Sequence, residues 1–463
     1  MTVFASRSAC PPRFAPKAWM VSIALAMGSL SAHVQAQSLT ELFQAAKGYD
    51  AAYLAAKAQA DSTQYKVAQA YAQRLPFVGL KGTLTRQHFD SDTPPQFPLP
   101  SGIKTNNFST TSTGLNLQAK QSLYDKSIGV TISQADLGSI AAEADLKAAE
   151  DDLLVRLTQA YFDVLSTRDV LATAQANRKG LSEQLASAKR NFEVGNATIT
   201  DTREAQARFD LATAQELAAT NDVQVKSLAL DQLVGQQNVK PRLLISPINM
   251  PPLEPASVED WVSQTNNSPV VRKAEVGLRY AKLETEKARA EHLPTADLVG
   301  TVSKSHVSGS GNPTGKSSSG LAAIVSLEVN VPVFAGFAVQ NKIKETLVLE
   351  EKGEHDLDNA KRSVSLATRQ IFFGLQSGMG QVKALEAAEA SAKLALEATQ
   401  LGYRVGVRVN KDVLDAQTAV SNTQKDLYKA RYDVLVATIK LRQASGTLKP
   451  EDLESLNRLL AVQ

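Results

Sequence analysis

In two long stretches of the chain, apolar residues recur at coiled-coil spacing. Leu153, Leu157, Tyr161, Val164 and Leu171 form one stripe, and Ile371, Leu375, Met379, Val382 and Leu385 form another. Steps of three and four residues place each stripe on one face of a helix. Both stripes are narrow and flanked by alanine, which suits rods touching several slender neighbours rather than one wide core. Elsewhere the period switches to two. Phe77 to Phe89 has turn-rich flanks, and the segment after Asn107 ends in Leu115, Leu117, Ala119, Gln121 and Leu123. A second copy, preceded by a Ser/Gly-rich loop, alternates through Val325, Leu327, Val329, Val331 and Val333. Alternation over about 10 residues fits strands tilted across a bilayer. The same pattern suits a half-buried soluble sheet equally well.

Proline sharpens the division. None of the 18 prolines lies between Ser101 and Lys240 or between Val333 and Lys449. Both stretches are rich in Ala, Gln, Glu, Lys and Leu, so they can run as uninterrupted helix.

The chain also contains itself twice. Leu75, Pro76 and Leu80 return as Leu293, Pro294 and Leu298, and Phe162 and Leu165 return 210 residues later as Phe372 and Leu375. Past there the offset is 211: Val194-Gly195 matches Val405-Gly406, Asp201 matches Asp412, and Leu230, Gln232 and Gly235 match Leu441, Gln443 and Gly446. The expected plan is a first repeat over 37–240, a linker over 241–262, a second repeat over 263–446 and a tail over 447–463. Each repeat reads helix, two strands, long helix, turn, helix. The strands are expected near 77–90 and 108–125, then 296–307 and 320–335. The long helices are expected over 127–192 and 338–403, and the helices after the turns over 200–235 and 411–445. At 1.5 Å per residue, ~66 residues make a rod of roughly 100 Å. The Val-Gly pairs mark where the chain reverses. Four strands cannot close a membrane barrel, which begins at about eight. Oligomerisation follows from the count, and the arithmetic admits a dimer with eight strands or a trimer with twelve.

The first 36 residues read as a secretory leader: Arg7, Arg13 and Lys17 precede an apolar run from Trp19 to Leu30, and Val34-Gln35-Ala36 offers a cleavage site. With the leader removed, 47 basic and 47 acidic residues balance, so charge gives no reason to expect a nucleic-acid partner. The only cysteine, Cys10, lies inside that leader. The mature chain is therefore expected to lack a disulfide, a thiolate metal site and a lipid-acceptor cysteine. No later apolar run approaches the roughly 20 residues of a membrane helix. If the mature chain enters a membrane, it must do so as a closed barrel.

Catalytic chemistry finds no foothold. Gly311 to Ser317 resembles a phosphate-binding loop, but it is one residue short between its glycines and precedes a strand instead of a helix. It reads as a hairpin tip. His88, His292, His306 and His355 are scattered, without metal-ligand spacing. Asp412 and Asp415 share a helix face at i and i+3, a spacing that an ordinary solvated face would also show. Tyr124, Phe334 and Phe337 fall where strands pass into long helices, as a periplasmic aromatic girdle or a simple core or hinge cluster would.

The duplicated entries into the strands carry a resemblance, together with Ala160 to Leu165 (AYFDVL), Asn191 to Asp201 (NFEVGNATITD) and Gly402 to Gln417 (GYRVGVRVNKDVLDAQ). In this order and at these spacings the chain resembles the TolC family of outer-membrane efflux and type I secretion proteins, over essentially the whole mature length. The resemblance implies a mainly α fold with membrane β. Three protomers would form a 12-stranded outer-membrane barrel continued by a periplasmic helical barrel. An equatorial belt would come from Pro241 to about Val262 and from the tail after Gly446. It implies a passive duct without a cofactor, working with a periplasmic adaptor and an inner-membrane ABC or proton-driven transporter. It also implies an iris at the periplasmic end, with closed-state links among Gln184, Thr200, Asp201, Tyr403 and Arg408. Arg408 would bond Thr200 and Asp201, and Tyr403 would bond Asp201. Asp412 and Asp415 would form an acidic entrance ring favouring cations. Lys411 departs from the family pattern beside that ring, as do Asn196 and Thr202, which are more polar than usual. The missing lipid-acceptor cysteine and short tail lean toward secretion or shared use. The competing reading is a periplasmic adaptor-type coiled-coil protein, but that would carry one helical hairpin where this chain has two tandem helical units. A diffusion porin would need more strands and almost no helix.

Overall fold

The computed structural model describes residues 37–90, 107–245, 253–309 and 317–460. The leader, part of the linker and Gly311 to Lys316 of the phosphate-loop lookalike lie outside the described residues. Two short helices open the first repeat: α1 (Leu39–Tyr49) and α2 (Ala51–Ala72). They are separated by Asp50, whose extended backbone ends one helix and caps the next by accepting from the Tyr53 N–H at 2.8 Å. Arg156 donates to both Asp50 oxygens at 3.0 and 3.1 Å, and this pairing holds the Asp50 carboxyl below its ordinary range.

Strands β1 (Phe77–Asp90) and β2 (Asn107–Tyr124) follow, then the rod α3 (Lys126–Glu193) and its return α4 (Ile199–Val234). The second repeat runs α5 (Val258–Gln264), a 3₁₀ turn (Thr265–Asn267), α6 (Pro269–Ala290), β3 (Thr295–Gly309), β4 (Ser318–Asn330), α7 (Ala338–Arg404) and α8 (Asn410–Ser445). A short α9 (Asp452–Asn457) closes the chain. The two copies agree closely: α3 and α7 have 68 and 67 residues, and α4 and α8 have 36 each. A 68-residue helix is about 100 Å long. Both return helices end at a left-handed glycine, Gly235 at φ 72° and Gly446 at φ 73°. A Cβ there would stand 2.4 Å from the Tyr49 ring or 2.5 Å from the Ser268 nitrogen, so packing as well as φ demands glycine.

The four strands form one antiparallel sheet in the order β1-β2-β3-β4. Its register sorts the side chains by face. Leu80, Leu117, Val302 and Ala323 lie in one row, and Val78, Ala119, Gly300 and Val325 in the next. The opposite face carries Lys81, Asn116, Ser303 and Ala322 in one row, and Gly79, Gln118, Thr301 and Ile324 in another. Lys120 and Asp297 form a 2.8 Å ion pair on this polar face. The apolar face is bare among the described residues, with Leu80 66% and Val325 79% exposed. One expectation fails. The alternation expected to run to 335 ends at Asn330, leaving Val331 and Val333 outside the strand. Pro332 has no N–H for a ladder, and Gly336 and Phe337 turn the chain through positive φ into α7.

The main core sits partway along the rods. Leu39, Leu42 and Phe43 of α1 pack with Leu157, Tyr161 and Phe162 of α3, Leu435 and Ile439 of α8, and Leu453 and Leu456 of α9. Isolated bridges join Gln37 to Pro241 and Leu244 to Leu460, and Asn457 accepts from the Leu39 N–H at 3.0 Å. A second core gathers Phe372, Leu375, Val382, Leu427 and Val434 around Trp261 of α5, whose indole donates to the Pro255 carbonyl at 2.8 Å. α1, α5 and α9 thus pack against the helical rods partway along their length. Among the described residues no helix is long and apolar enough to cross a membrane.

Candidate periplasmic entrance

Far from the sheet, each rod reverses through a glycine in the left-handed region, Gly195 at φ 79° and Gly406 at φ 81°. The two tips differ in how their return helices begin. At the first, Thr198 accepts from the Asp201 N–H at 3.2 Å while Asp201 Oδ2 accepts from the Thr198 N–H at 3.0 Å. This reciprocal cap satisfies two donors that a helix start otherwise leaves open. At the second, the N-cap position is Val409, with no side-chain cap. The adjoining Asn410 is buried, and neither its amide nitrogen nor its amide oxygen has a partner. Apolar contacts among Leu181, Leu185, Ala188, Ala205, Ala212 and Leu414 hold the tip helices together.

The residues singled out for the iris all lie in this region, but they pair differently within one chain. Gln184 is half-buried on α3 and Thr200 is exposed on α4. Asp201 serves the cap just described. The Tyr403 hydroxyl accepts from Asn191 Nδ2 at 3.1 Å, joining the tips of the two repeats. Arg408 lies over Gly402, where a Cβ would come within 2.8 Å of its Cγ, and pairs with Asp412 at 3.6 Å. Among the described residues, Arg408 makes no hydrogen bond to Thr200 or Asp201 of its own chain, and Tyr403 makes none to Asp201.

The acidic pair is not bare. Asp415 accepts from Lys411 Nζ at 2.7 Å and from an Arg208 guanidinium nitrogen at 2.7 Å. Lys411 lies along its own helix, whereas Arg208 reaches across from α4. The bond from Lys411, helped by the positive charge of Lys411 and Arg208, holds the Asp415 carboxyl below its ordinary range, and the same bond raises the Lys411 ammonium. Asp412 is therefore paired with Arg408, and Asp415 with Arg208 and Lys411, while the Glu204 carboxylate also acts on Lys411. Sequence reasoning had noted Lys411 and missed Asn191 and Arg208. Arg208 carried a faint signal, since it stands seven residues after Asp201 and so shares its helix face. Its counterpart in the second repeat, Ala419, carries no charge, so the duplication drew no attention to it. Among the described residues, no cluster of His, Cys, Asp and Glu could hold a metal ion.

Three comparisons place this architecture. The family model of the outer membrane efflux proteins matches residues 42–236 and 263–447, and so spans both repeats. The outer membrane protein TolC of Vibrio cholerae is 30% identical over 444 residues, covering 95% of this chain and 98% of its own. The alkaline protease secretion protein AprF of Pseudomonas aeruginosa is 31% identical over 343 residues, covering 73% of this chain and 70% of its own. Among solved structures, the outer-membrane channel OprN has the same fold, with a TM-score of 0.73 at 16% identity over 89% of this chain and 90% of that one. The chain belongs to the outer membrane efflux protein family, as a TolC-type efflux and secretion channel of the Gram-negative outer membrane and not an enzyme.

Proposed function

We propose that three copies assemble into a continuous duct, gated at the paired helical tips, through which an inner-membrane transporter and a periplasmic adaptor export their cargo. One observation carries this reading: an open four-stranded sheet with an apolar and a polar face is joined to helical rods of about 100 Å. Among the described residues, the outer strands β1 and β4 pair with no further strand on their far edges, and such edges invite pairing with another copy. Joining sheet to sheet turns the apolar rows toward lipid and the polar rows toward a lumen. Eight strands would leave an interior that side chains fill, whereas twelve leave a passage, which favours the trimer over the dimer. Relatives named for protease secretion and for efflux support an export role of either kind for this chain.

In the closed trimer, Arg408 would exchange its weak bond with Asp412 for Thr200 and Asp201, and Tyr403 would turn to Asp201. The second carboxylate oxygen of Asp201 lies outside the helix cap and is available for such contacts. Gln184 would supply a further intermolecular link. The decisive experiment is the mass and negative-stain shape of detergent-extracted protein. A trimer with a hollow stalk of roughly 100 Å is expected; a monomer soluble without detergent would overturn the duct. For the gate, Arg408→Ala with Tyr403→Phe should raise conductance in planar bilayers, and unchanged conductance would remove these residues from it.

A further inference from the structure

Among the described residues, basic side chains interrupt the apolar face of the sheet near its hairpin ends. Its rows near the hairpin ends, away from the helices, carry Arg86 and His88 on β1 and Lys304 and His306 on β3. All four are exposed and share the face of Leu80, Leu117 and Val302 by strict alternation along their strands. Lys304 lies in the row of Gly82, Leu115 and Leu321, inside the apolar band. His306 lies one row further out with Leu84, Thr113 and Ser319, and Arg86 lies beyond it with Thr111 and Ser308. Strand spacing puts β1 and β3 about 10 Å apart, and rows on one face are about 7 Å apart, so the four side chains frame a patch of about 10 by 20 Å. The central strand fills the middle of the patch with small hydroxyl residues. His88 Nδ1 bonds the Ser109 hydroxyl at 2.8 Å, and the Thr113 hydroxyl donates to the His306 carbonyl. Among the described strand residues, the acid on this face is Asp90, at the end of β1 next to His88. Basic side chains facing hydrocarbon are costly unless they reach an anionic layer at the membrane surface.

We infer that this patch is a binding site on the outside of the barrel for a phosphate-bearing glycolipid of the outer leaflet. It rests on the barrel reading above, which turns this face to lipid. Lys304 snorkels from the apolar band to the headgroup level, and Arg86 presents a planar fork that matches a phosphate. The histidines and central hydroxyls complete the polar frame, while the leucine rows beneath receive the acyl chains. Charge complementarity selects the occupant: an anionic head on an apolar body fits a basic rim set above an apolar band.

The test uses mature protein extracted in detergent, delipidated, and titrated with a bisphosphorylated diglucosamine lipid and with its dephosphorylated form. Bound lipid per oligomer is counted by native mass spectrometry. The phosphorylated lipid should bind and the dephosphorylated form should bind at least tenfold more weakly. Arg86→Gln with Lys304→Gln should weaken binding at least tenfold, and Arg86→Lys with Lys304→Arg should restore most of it. Equal binding of both lipids, or wild-type binding by the double glutamine variant, would overturn the site. Displacement by inorganic phosphate at millimolar concentration would reassign it to free anions and overturn the lipid. Lys81→Gln, on the polar face, should leave binding unchanged. If only that variant lost lipid, the faces would be reversed and the barrel reading itself would fail, an outcome distinct from failure of the site alone.

Discussion

At position 409 a valine stands where the first repeat has Thr198, and the difference tells on stability. The first tip has a reciprocal cap, while the second leaves its helix start uncapped, with a buried and unpartnered Asn410 beside it. Val409→Asp should therefore stabilise the second tip by about 0.5–1 kcal/mol, the usual worth of a side-chain cap. The readout is slower amide exchange over the first turn of α8, with α4 unaffected. Thr198→Ala should do the reverse at the first tip, at a cost of about 1 kcal/mol. Asp412 and Asp415 are each paired with a cation, which would mask an acidic ring of the kind that the family resemblance implies. Arg208→Gln removes the one cation that reaches Asp415 from another helix. The reconstituted variant should show a reversal potential shifted toward the cation limit and a conductance raised severalfold. An unchanged reversal potential would mean that Asp415 does not face the ion path. The sign of the pH effect is fixed by the lowered Asp415 pKa. The ion pair is fully present above the carboxyl's unfolded value and is lost as pH falls through the lower folded value. Any acid-induced opening that depends on this link belongs below the ordinary aspartate range, not near neutrality.

Within the helical elements, one half-buried acid works the other way. Asp169 on α3 accepts from the Tyr432 hydroxyl of α8 at 2.5 Å, and burial pushes its carboxyl up. A raised carboxyl favours the folded state at low pH and loses that contribution as pH rises through the folded value. Asp169→Asn keeps an acceptor for Tyr432 without a charge to desolvate. The variant should melt at the same or a higher temperature than wild type at pH 8, and the gap should narrow or reverse at pH 4; a large loss at pH 8 would show that the charge itself holds α3 to α8. Such pairings were invisible in the sequence because they join residues 263 positions apart on different rods. The rods themselves were legible, since proline-free length, narrow apolar stripes and the doubled Val-Gly reversals are local signals. The end of β4 was misjudged for a local reason as well: Val331 and Val333 continue the alternation by eye, but Pro332 between them removes a ladder donor. At the helical tips, the motif singles out Asp412, Asp415, Tyr403 and Arg408, but their partners within the chain depend on how the two repeats meet. Asn191 and Arg208 are ordinary helix residues until that packing is known.

For the whole molecule, the question left open by alternation was whether the strands face lipid or a soluble core. Register answers what period alone could not. Across four strands most of the leucines and valines share one face, among them Val78, Leu80, Leu115, Leu117, Leu298, Val302, Val325 and Leu327, whereas Lys81, Asn116, Gln118, Lys120 and Ser303 share the other; Val299 and Lys304 are exceptions. Among the described residues no helix lies over the apolar rows, which stay exposed. A half-buried soluble sheet would have a layer packed on that face. Two adjacent residues on β2 turn this into a test. Leu117 lies in the middle of the apolar rows, and Gln118 lies on the other face. Leu117→Arg should destabilise the assembled barrel by about 2–4 kcal/mol, the cost of arginine at mid-membrane depth on a lipid-facing strand. The expected readout is loss of heat-modifiable trimer and of protein from the outer-membrane fraction. Gln118→Arg places the same charge one residue along. It should leave assembly intact and change single-channel conductance, because its guanidinium enters a water-filled lumen. Equal damage from both would mean that neither face of the sheet borders lipid, and assembly failure from Gln118→Arg alone would mean that the sheet closes with the opposite face outward.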